Sequence, residues 1–401
     1  MSRPTVLVIG DYRQTLTVVR SLAARGMRAV VGRTRGKRSQ IRYSRYAAEV
    51  WAHPPIDEGF TPAFLDAVDR FRPVVVFPVG DREISWFGNH REHLPAIPIA
   101  APDATIAAEC LDKATLMKRT ADLGIDHAPF HVVSDPRELE AAVAALGFPC
   151  FVKPHDPLLR LFETRGIRFD DPDDLRRRFI SWPEGHRRLI VQRYFKGPRH
   201  NVYFAAHTGR LIGAVEVEIL RTDCHDGTGL AVDGLVVEAS PALLAGTASL
   251  VKDLKYTGVG CTQFLVGRDG STSFLELNPR LGANYVVVHS AGLDLASIAV
   301  DLATDREVVT PRLRTGIRYA WTLGDIEGLK RAVVKREVSR GEVLRRLLDV
   351  GRAAWRADVH VTWRFSDPLP SIVLAHRTLT APLVRRLDPR RLLRARRGTQ
   401  I

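Results

Sequence analysis

Residues 260–280 read GCTQFLVGRDGSTSFLELNPR. Two strand-like runs flank Gly-Arg-Asp-Gly, and an Asp-Gly pair favours a two-residue hairpin turn. With Asp269 and Gly270 as that turn, Gln263 sits opposite Glu276, and side-chain alternation puts Gln263, Glu276 and Asn278 on one face. The same register places Phe274 on that face, and Leu275 and Leu277 on the other. One face then offers a glutamine oxygen, a carboxylate and an asparagine oxygen. Magnesium takes oxygen ligands but usually keeps waters and substrate phosphates in its shell, so a set this sparse needs an anionic co-ligand such as a polyphosphate. Arg280, just past Pro279, is placed to hold a transferring phosphoryl group. The same letters also suit a solvated sheet face closed by a turn-initiating Asn-Pro pair.

Working upstream, PCFVKP (149–154) ends an apolar strand on Lys153, which either snorkels to solvent or meets an anion. LDKATLMKRTADLG (111–124) puts Lys113 near a helix start, where the dipole mildly disfavours a cation and a bound phosphate would offset that. The plainer alternative is an exposed helix lysine. LIVQRYFKGPRHNVYF (189–204) reads as strand, turn, strand. A strand end before a Gly-Pro turn can carry an adenine, with backbone groups reading its edge and Phe195 covering a face. A β-turn with an aromatic core residue fits equally.

The opening TVLVIGDYRQTLTVVRSLAARGMRAVVGRT (5–34) predicts strand, turn, helix, strand, with Leu16, Val19, Leu22 and Ala23 as the apolar helix face and Gly26 as its C-cap. A second such step ends in the buried strand Val74 to Val79. This part reads as a doubly wound α/β domain to about residue 105. Gly10 alone stands where a dinucleotide fingerprint needs three glycines, which argues against such a site. Residues 106–127 read as helical, followed by a helix from Glu138 to Leu146, another opening in DDPDDLRRRFI, and alternating strands from Val202 to Glu218.

The 401 residues are 45% hydrophobic and 26% charged, which is enough for two or three globular domains. A formal net charge of +14 suits anionic partners such as nucleotides, nucleic acid, acidic polysaccharide or a membrane surface, or reflects an arginine-rich proteome. No helix-turn-helix, RRM or zinc-finger signature supports a nucleic acid. Cys110, Cys150, Cys224 and Cys261 are far apart and form no C-x-x-C pair, so neither a disulfide framework nor a zinc site is expected, and a reducing cytosol fits. The start MSRPTVLVIG has no long apolar stretch before a small-residue cleavage site, so no signal peptide is expected. No apolar run nears the ~20 residues of a membrane span.

Taken in order, DK with Lys113, FVKP with Lys153, VQRYFKGPRH, TQF and LELNPR resemble the motifs of the ATP-grasp superfamily over roughly residues 1–305. The hinge segment is similar to that of biotin carboxylase, and the Gln-Glu-Asn set to that of carbamoyl-phosphate synthetase. The resemblance implies an α/β N-terminal domain with a parallel sheet (1–105) and α+β ATP-grasp lobes with antiparallel sheets (about 106–190 and 191–305). A largely helical, basic C-terminal extension (306–401) completes the chain. It implies that Lys113 and Lys153 bind ATP phosphates, that Gln192, Arg193 and Phe195 form the adenine hinge, and that His200 lies near the ribose or phosphates. It further implies that Gln263, Glu276 and Asn278 hold magnesium (or manganese) and that Arg280 stabilises the transferred phosphoryl group. The activity implied is a cytoplasmic, ADP-forming carboxylate–amine ligase acting through an acyl-phosphate on small molecules.

The sequence departs from the family after Lys153. HDPLLRLFETRGIRF holds one glycine, Gly166, where a Gly-rich phosphate loop is usual, and His155, Arg160 and Arg165 are the side chains available to substitute. In EILRTDCHDGTGLAVDG (218–234), Arg221 is the candidate substrate clamp. His225 with Asp223 and Asp226 reads as a solvated turn more readily than as a second metal site. Asn284 and Tyr285 are expected to border the site, with His289 as a core histidine. The tail, with Leu383, Val384, Leu387, Leu392 and Leu393 among arginines, reads as a helix docked on the body, Pro389 breaking its pattern, or as a contact with membrane or acidic polymer. An alternative to the ligase is a nucleotide-binding protein without turnover that engages an anionic polymer or membrane through this tail.

Overall fold

The structure, a computed structural model, describes residues 3–57, 59–224 and 227–386, with side chains described through residue 380. The chain begins with β1 (Thr5–Ile9), α1 (Thr15–Ala24), β2 (Arg28–Thr34), β3 (Ala47–His53), α2 (Phe60–Phe71), β4 (Val75–Pro78) and α3 (Asp81–His90). The four strands form a parallel sheet in the order β3-β2-β1-β4. Every residue of β1 is buried, as expected of a parallel strand covered on both faces. The loops after β1 and β4 meet at the carboxyl edge, where the strand order reverses. There the Tyr12 hydroxyl donates to Glu83, 3.0 and 2.9 Å from its two oxygens. Gly10, at φ +119°, lets the chain pass that ring: a Cβ there would come within 2.7 Å of it.

Next come α4 (Ala104–Leu111) and α5 (Lys113–Asp122). The helical stretch expected over 106–127 is therefore two helices. Asp112 breaks it because its side chain caps α5, accepting from Ala114 N at 3.0 Å and Thr115 N at 3.3 Å. Then follow β5 (Phe130–Val133), α6 (Pro136–Leu146), β6 (Cys150–Pro154), β7 (Ile167–Phe169), α7 (Pro172–Arg178) and β8 (Leu189–Arg193). Their strands make an antiparallel sheet in the order β5-β8-β6-β7, the small lobe. Because β8 runs to Arg193 inside this sheet, the crossing to the next lobe lies at 194–198, just beyond the 190/191 division expected from sequence.

The larger lobe contains β9 (Arg199–His207), β10 (Arg210–Thr222), β11 (Ala231–Val237), α8 (Pro241–Asp253), β12 (Gly258–Val266), β13 (Thr272–Asn278), α9 (Tyr285–Ser290) and α10 (Leu295–Ala303). Beyond residue 305 lie β14 (Arg318–Ala320), α11 (Thr322–Val334), α12 (Arg340–Arg356), β15 (Val359–His360) and α13 (Leu369–Arg386). The extension is largely helical, yet β14 and β15 join the large sheet, whose order is β13-β12-β9-β10-β11-β14-β15. No helix among the described residues is long and apolar enough to cross a membrane.

The β12–β13 hairpin differs from the expected two-residue turn. Val266 pairs with Thr272, which leaves a five-residue loop and shifts the register by one; a bulge between Gln263 and Phe264 then restores Gln263 opposite Glu276. The correction falls on Phe274, which is fully buried with Leu277 and Phe264 in the core below the sheet, not on the face of Glu276. A large apolar ring gains about 2–3 kcal/mol by burial, which favours this arrangement over the plain alternation.

One core joins the parallel sheet to the large sheet: Val6, Val8 and α1 pack with Tyr203, Ala205, Val217, α10 and Val361. Helix α10 is buried from Leu295 through Asp301 between α1 and this sheet. Two polar clusters pin the seam. Asp294, capping α10, accepts from Ser21 at 2.7 Å, Tyr285 at 2.7 Å and the Ser297 hydroxyl at 2.6 Å. Arg20 and Asp367, 5% and 2% exposed, pair at 3.0 Å, and Asp367 also accepts from the Ser44 hydroxyl and Arg45 N. The described part of α13 docks on the body: Lys330 Nζ donates to Thr378 O at 2.7 Å and the Thr378 hydroxyl to Glu327 at 2.8 Å. The expectations placed on Leu383 to Leu393 and on His225 and Asp226 fall outside the residues so described.

Two predictions follow from the seam. Asp367→Ala leaves the Arg20 charge buried without a partner and should cost about 3–5 kcal/mol in denaturant unfolding; a loss under 1 kcal/mol would show that the pair does not anchor the extension. For Asp294, burial by itself pushes the carboxyl up, but hydrogen bonds from Ser297, Ser21 and Tyr285 outweigh it and hold the pKa below its ordinary value. That stability is present above the unfolded carboxyl pKa and is lost as pH falls through the lower folded value. Unfolding midpoints of wild type and Asp294→Asn should therefore diverge near neutral pH and converge in acid.

Candidate functional site

The β12–β13 face carries, half-buried to buried, the residues that the hairpin reading brought together. Gln263 pairs with Glu276 across the ladder, and Asn201 of β9 flanks Gln263 on its other side. Glu276 Oε2 lies 2.8 Å from Lys113 Nζ, at the first turn of α5. Its Oε1 accepts from Asn278 Nδ2 at 2.9 Å. Asn278 Oδ1 accepts from Arg280 Nη2 at 3.2 Å, and Arg280 closes a bidentate pair with Asp81 at the start of α3, at 2.5 and 2.8 Å. A continuous polar chain, Lys113–Glu276–Asn278–Arg280–Asp81, thus joins α5, the hairpin and the parallel-sheet domain.

Lys153, at the end of β6, is 7% exposed and points Nζ at the carbonyl of the bulge residue Leu275, 3.5 Å away. Burial, aided by the Lys113 charge and opposed by Glu276, lowers its pKa to about 7. Burial alone would raise the Glu276 carboxyl, but Lys113, the Asn278 hydrogen bond and Lys153 hold it well below the usual carboxylate range. Lys113, Lys153 and Arg280 therefore surround one carboxylate, with Asp81 as the second anion, so that three basic groups face two carboxylates. Among the described residues no three His, Cys, Asp or Glu side chains gather as a metal cage. Gln263, Glu276 and Asn278 could supply oxygens to a divalent cation only with an anionic co-ligand, which the surrounding basic groups favour.

The hinge crosses between the two lobes beside this face. Gln192 is buried with Nε2 unpartnered, and Arg193 is exposed with Nε donating to Leu146 O at 3.2 Å. Half-buried Phe195 approaches the hairpin tip, where a Cβ on Gly267 would stand 3.5 Å from its ring. Gly197 is required there: a Cβ would lie 2.2 Å from the Val266 carbonyl oxygen.

Other expected residues are not brought to this face. His200 pairs in register with Phe264, and its Nδ1 meets Glu216 at 2.7 Å on the opposite side of the sheet; Asn201 occupies the facing position. Arg221 forms an ion pair with Asp325 of α11 at 2.5 Å. Asn284 is buried and donates to the Tyr319 hydroxyl at 2.6 Å, while Tyr285 is a core residue bound to Asp294. His289 is partly buried 3.9 Å from Asp294. In the loop after Lys153, Leu161 and Thr164 exchange backbone hydrogen bonds of 2.9 Å around Phe162 and Glu163, both at positive φ. His155 binds Arg188 O and Arg160 binds neighbouring carbonyls, so only Arg165 stands exposed without such a bond. Gly166 lets the loop cross β6, since a Cβ there would come within 2.5 Å of the Phe151 ring.

Sequence reading missed Asp81 and Asn201. Asp81 had a signal, an acid just after Gly80 at a strand-to-helix turn of an α/β sheet. Asn201 had none until β9 was known to pair with β12.

Residues 112–309 match the family described as the carbamoyl-phosphate synthase L chain, ATP binding domain. No curated protein matches the chain in sequence. Among solved structures, biotin carboxylase of Campylobacter jejuni aligns at TM-score 0.63 and 16% identity over 78% of this chain and 74% of that one. The biotin carboxylase domain of the Hydrogenobacter thermophilus 2-oxoglutarate carboxylase aligns at TM-score 0.63 and 15% identity, covering 79% and 74%. N5-carboxyaminoimidazole synthetase of Staphylococcus aureus aligns at TM-score 0.61 and 13% identity, covering 84% and 88%. Residues 112–309 thus match an ATP-binding family, and the chain as a whole shares the ATP-grasp fold of these structures.

Proposed function

We propose that the protein is an ATP-dependent ligase that converts a carboxylate to an acyl-phosphate and joins it to an amine or related nucleophile, releasing ADP and phosphate. The observation that carries this reading is the convergence of Lys113, Lys153 and Arg280 on Glu276 at the mouth between two antiparallel sheets. Three cations around one carboxylate suit a triphosphate, and a carboxylate activated as its phosphate gains the good leaving group that its own oxygens lack. The structures similar to this chain include a domain in complex with MgADP and bicarbonate.

In this reading Lys113 and Lys153 neutralise the phosphates. The unpartnered Gln192 Nε2, the exposed end of β8 and the Phe195 ring take the adenine. Gln263, Glu276 and Asn278 would hold magnesium or manganese, which when bound neutralises charge on the phosphates. Arg280 stabilises the phosphoryl group in flight, and Asp81 is a positioning residue that fixes the guanidinium plane. Catalysis then rests on placement and charge, with no covalent enzyme intermediate.

With Mg-ATP and pools of carboxylates and amines, the full-length protein should release ADP and phosphate in equal amounts; release of AMP would defeat the mechanism. Binding and thermal stabilisation by Mg-ATP without ADP release under any mixture would favour a nucleotide-binding protein without turnover. Glu276→Gln should lower turnover about 10²–10³-fold and also lower the unfolding midpoint, because Lys113 and Lys153 lose the carboxylate they face. Asp81→Asn should lower kcat while leaving the affinity for ATP near wild type; an equal loss in both would remove the positioning role.

A further inference from the structure

Arg13 stands in the turn after β1, at the seam between the parallel sheet and the large sheet. Its guanidinium lies 3.6 Å over the Trp321 ring, and its Nη1 is buried without a hydrogen-bond partner. Among the described residues no carboxylate forms an ion pair with it; Asp223 acts on it from farther off and is itself paired with Arg331. A second guanidinium shares the wall: Arg199, opening β9, donates through Nη1 to Gly229 O at 3.3 Å and leaves Nε buried and unpartnered. Both cations act on the buried Tyr319 hydroxyl, and Arg199 also on Tyr203. The side-chain oxygens of Asn201 and Asn284 are likewise buried without partners.

This wall adjoins the phosphoryl site. Gly282, two residues past Arg280, lies against Tyr203, where a Cβ would come within 2.4 Å of the ring. Asn201 sits beside Gln263 in register. Both arginines are half-buried, and an arginine cannot release its proton, so each keeps one guanidinium N–H in the interior with no acceptor. Stacking on Trp321 covers one face of the Arg13 guanidinium but gives its Nη1 no acceptor.

We propose that Arg13 and Arg199 form an anion subsite, so that the substrate joined by the ligase is gripped by a carboxylate or phosphate group, with Trp321 of the C-terminal segment as one wall of the site. The proposal rests on the ligase reading for the identity of the bound molecule as a substrate. It gives residues 306–386 a part in substrate binding.

The test uses full-length protein saturated with magnesium and a non-hydrolysable ATP analogue, so that the triphosphate site is filled. Inorganic phosphate in one arm and citrate in another are titrated by calorimetry. Saturable binding of phosphate alone assigns a phosphate group, and of citrate alone or of both a carboxylate-tolerant site; each supports the subsite. Arg13→Gln should weaken that binding about tenfold or more, and Arg13→Lys less, with affinity for the analogue unchanged. The unfolding midpoint of Arg13→Gln without anion should not fall below that of wild type, because a buried N–H without an acceptor has been removed. Wild type that binds neither anion, or Arg13→Gln that binds both as wild type does with a lowered midpoint, overturns the proposal. Failure of wild type to bind the nucleotide analogue sinks the ligase reading separately, and the anion titrations then decide the subsite by themselves.

Discussion

A carboxylate drawn largely out of water is tolerated only where cations and donors surround it, and Glu276 is held under that constraint. Lys113 comes from α5, Lys153 from β6, Asn278 from the same strand and Arg280 from the turn that follows. Satisfying Glu276 therefore fixes how α5 and the small-lobe sheet stand against the hairpin. Through Arg280 and Asp81 the requirement extends to the parallel-sheet domain. β13 is an edge strand of the large sheet, and the α4–α5 pair packs against it, which protects its open edge as well as carrying Lys113 to the site.

The same logic of buried charge governs the C-terminal segment. Arg20–Asp367 and the cradle of Asp294 place polar groups in the seam between α1 and the large lobe, and both are satisfied by several hydrogen bonds. Arg13, seven residues before Arg20, is half-buried and keeps its Nη1 in the interior without a hydrogen-bond partner. Two arginines on one stretch of chain therefore divide into an anchor and a binding group by whether a carboxylate meets them. The strands β14 and β15 bring Tyr319 and Trp321 to that wall, so the extension is built into the body of the protein.

Much of the chemistry was legible in residue types and order. Lysines ending strands or opening helices, oxygen donors two apart on a strand, and an Asp-Gly hairpin are local signals with short-range causes. Gln263 did come to rest opposite Glu276, although by a different route: a five-residue loop and a compensating bulge replaced the expected tight turn. The burial of Phe274 shows why the route could not be read, since alternation counts residues while the core selects the side chain that fills it. His200 was misplaced for a similar reason, because its face depends on which strand becomes its neighbour.

The sequence by itself determined the class of the fold, the parallel sheet at the start, the antiparallel lobes and the set of groups suited to a nucleotide. Periodicity and strand-end chemistry act over a few residues and need no knowledge of the rest. Only the tertiary structure decided the pairings: Arg280 with Asp81 across 199 positions, Arg20 with Asp367 across 347, and Arg13 in no ion pair among the described residues. Charge interactions depend on distance through space and on exclusion of water, and neither is written in the order of residues until the core has closed.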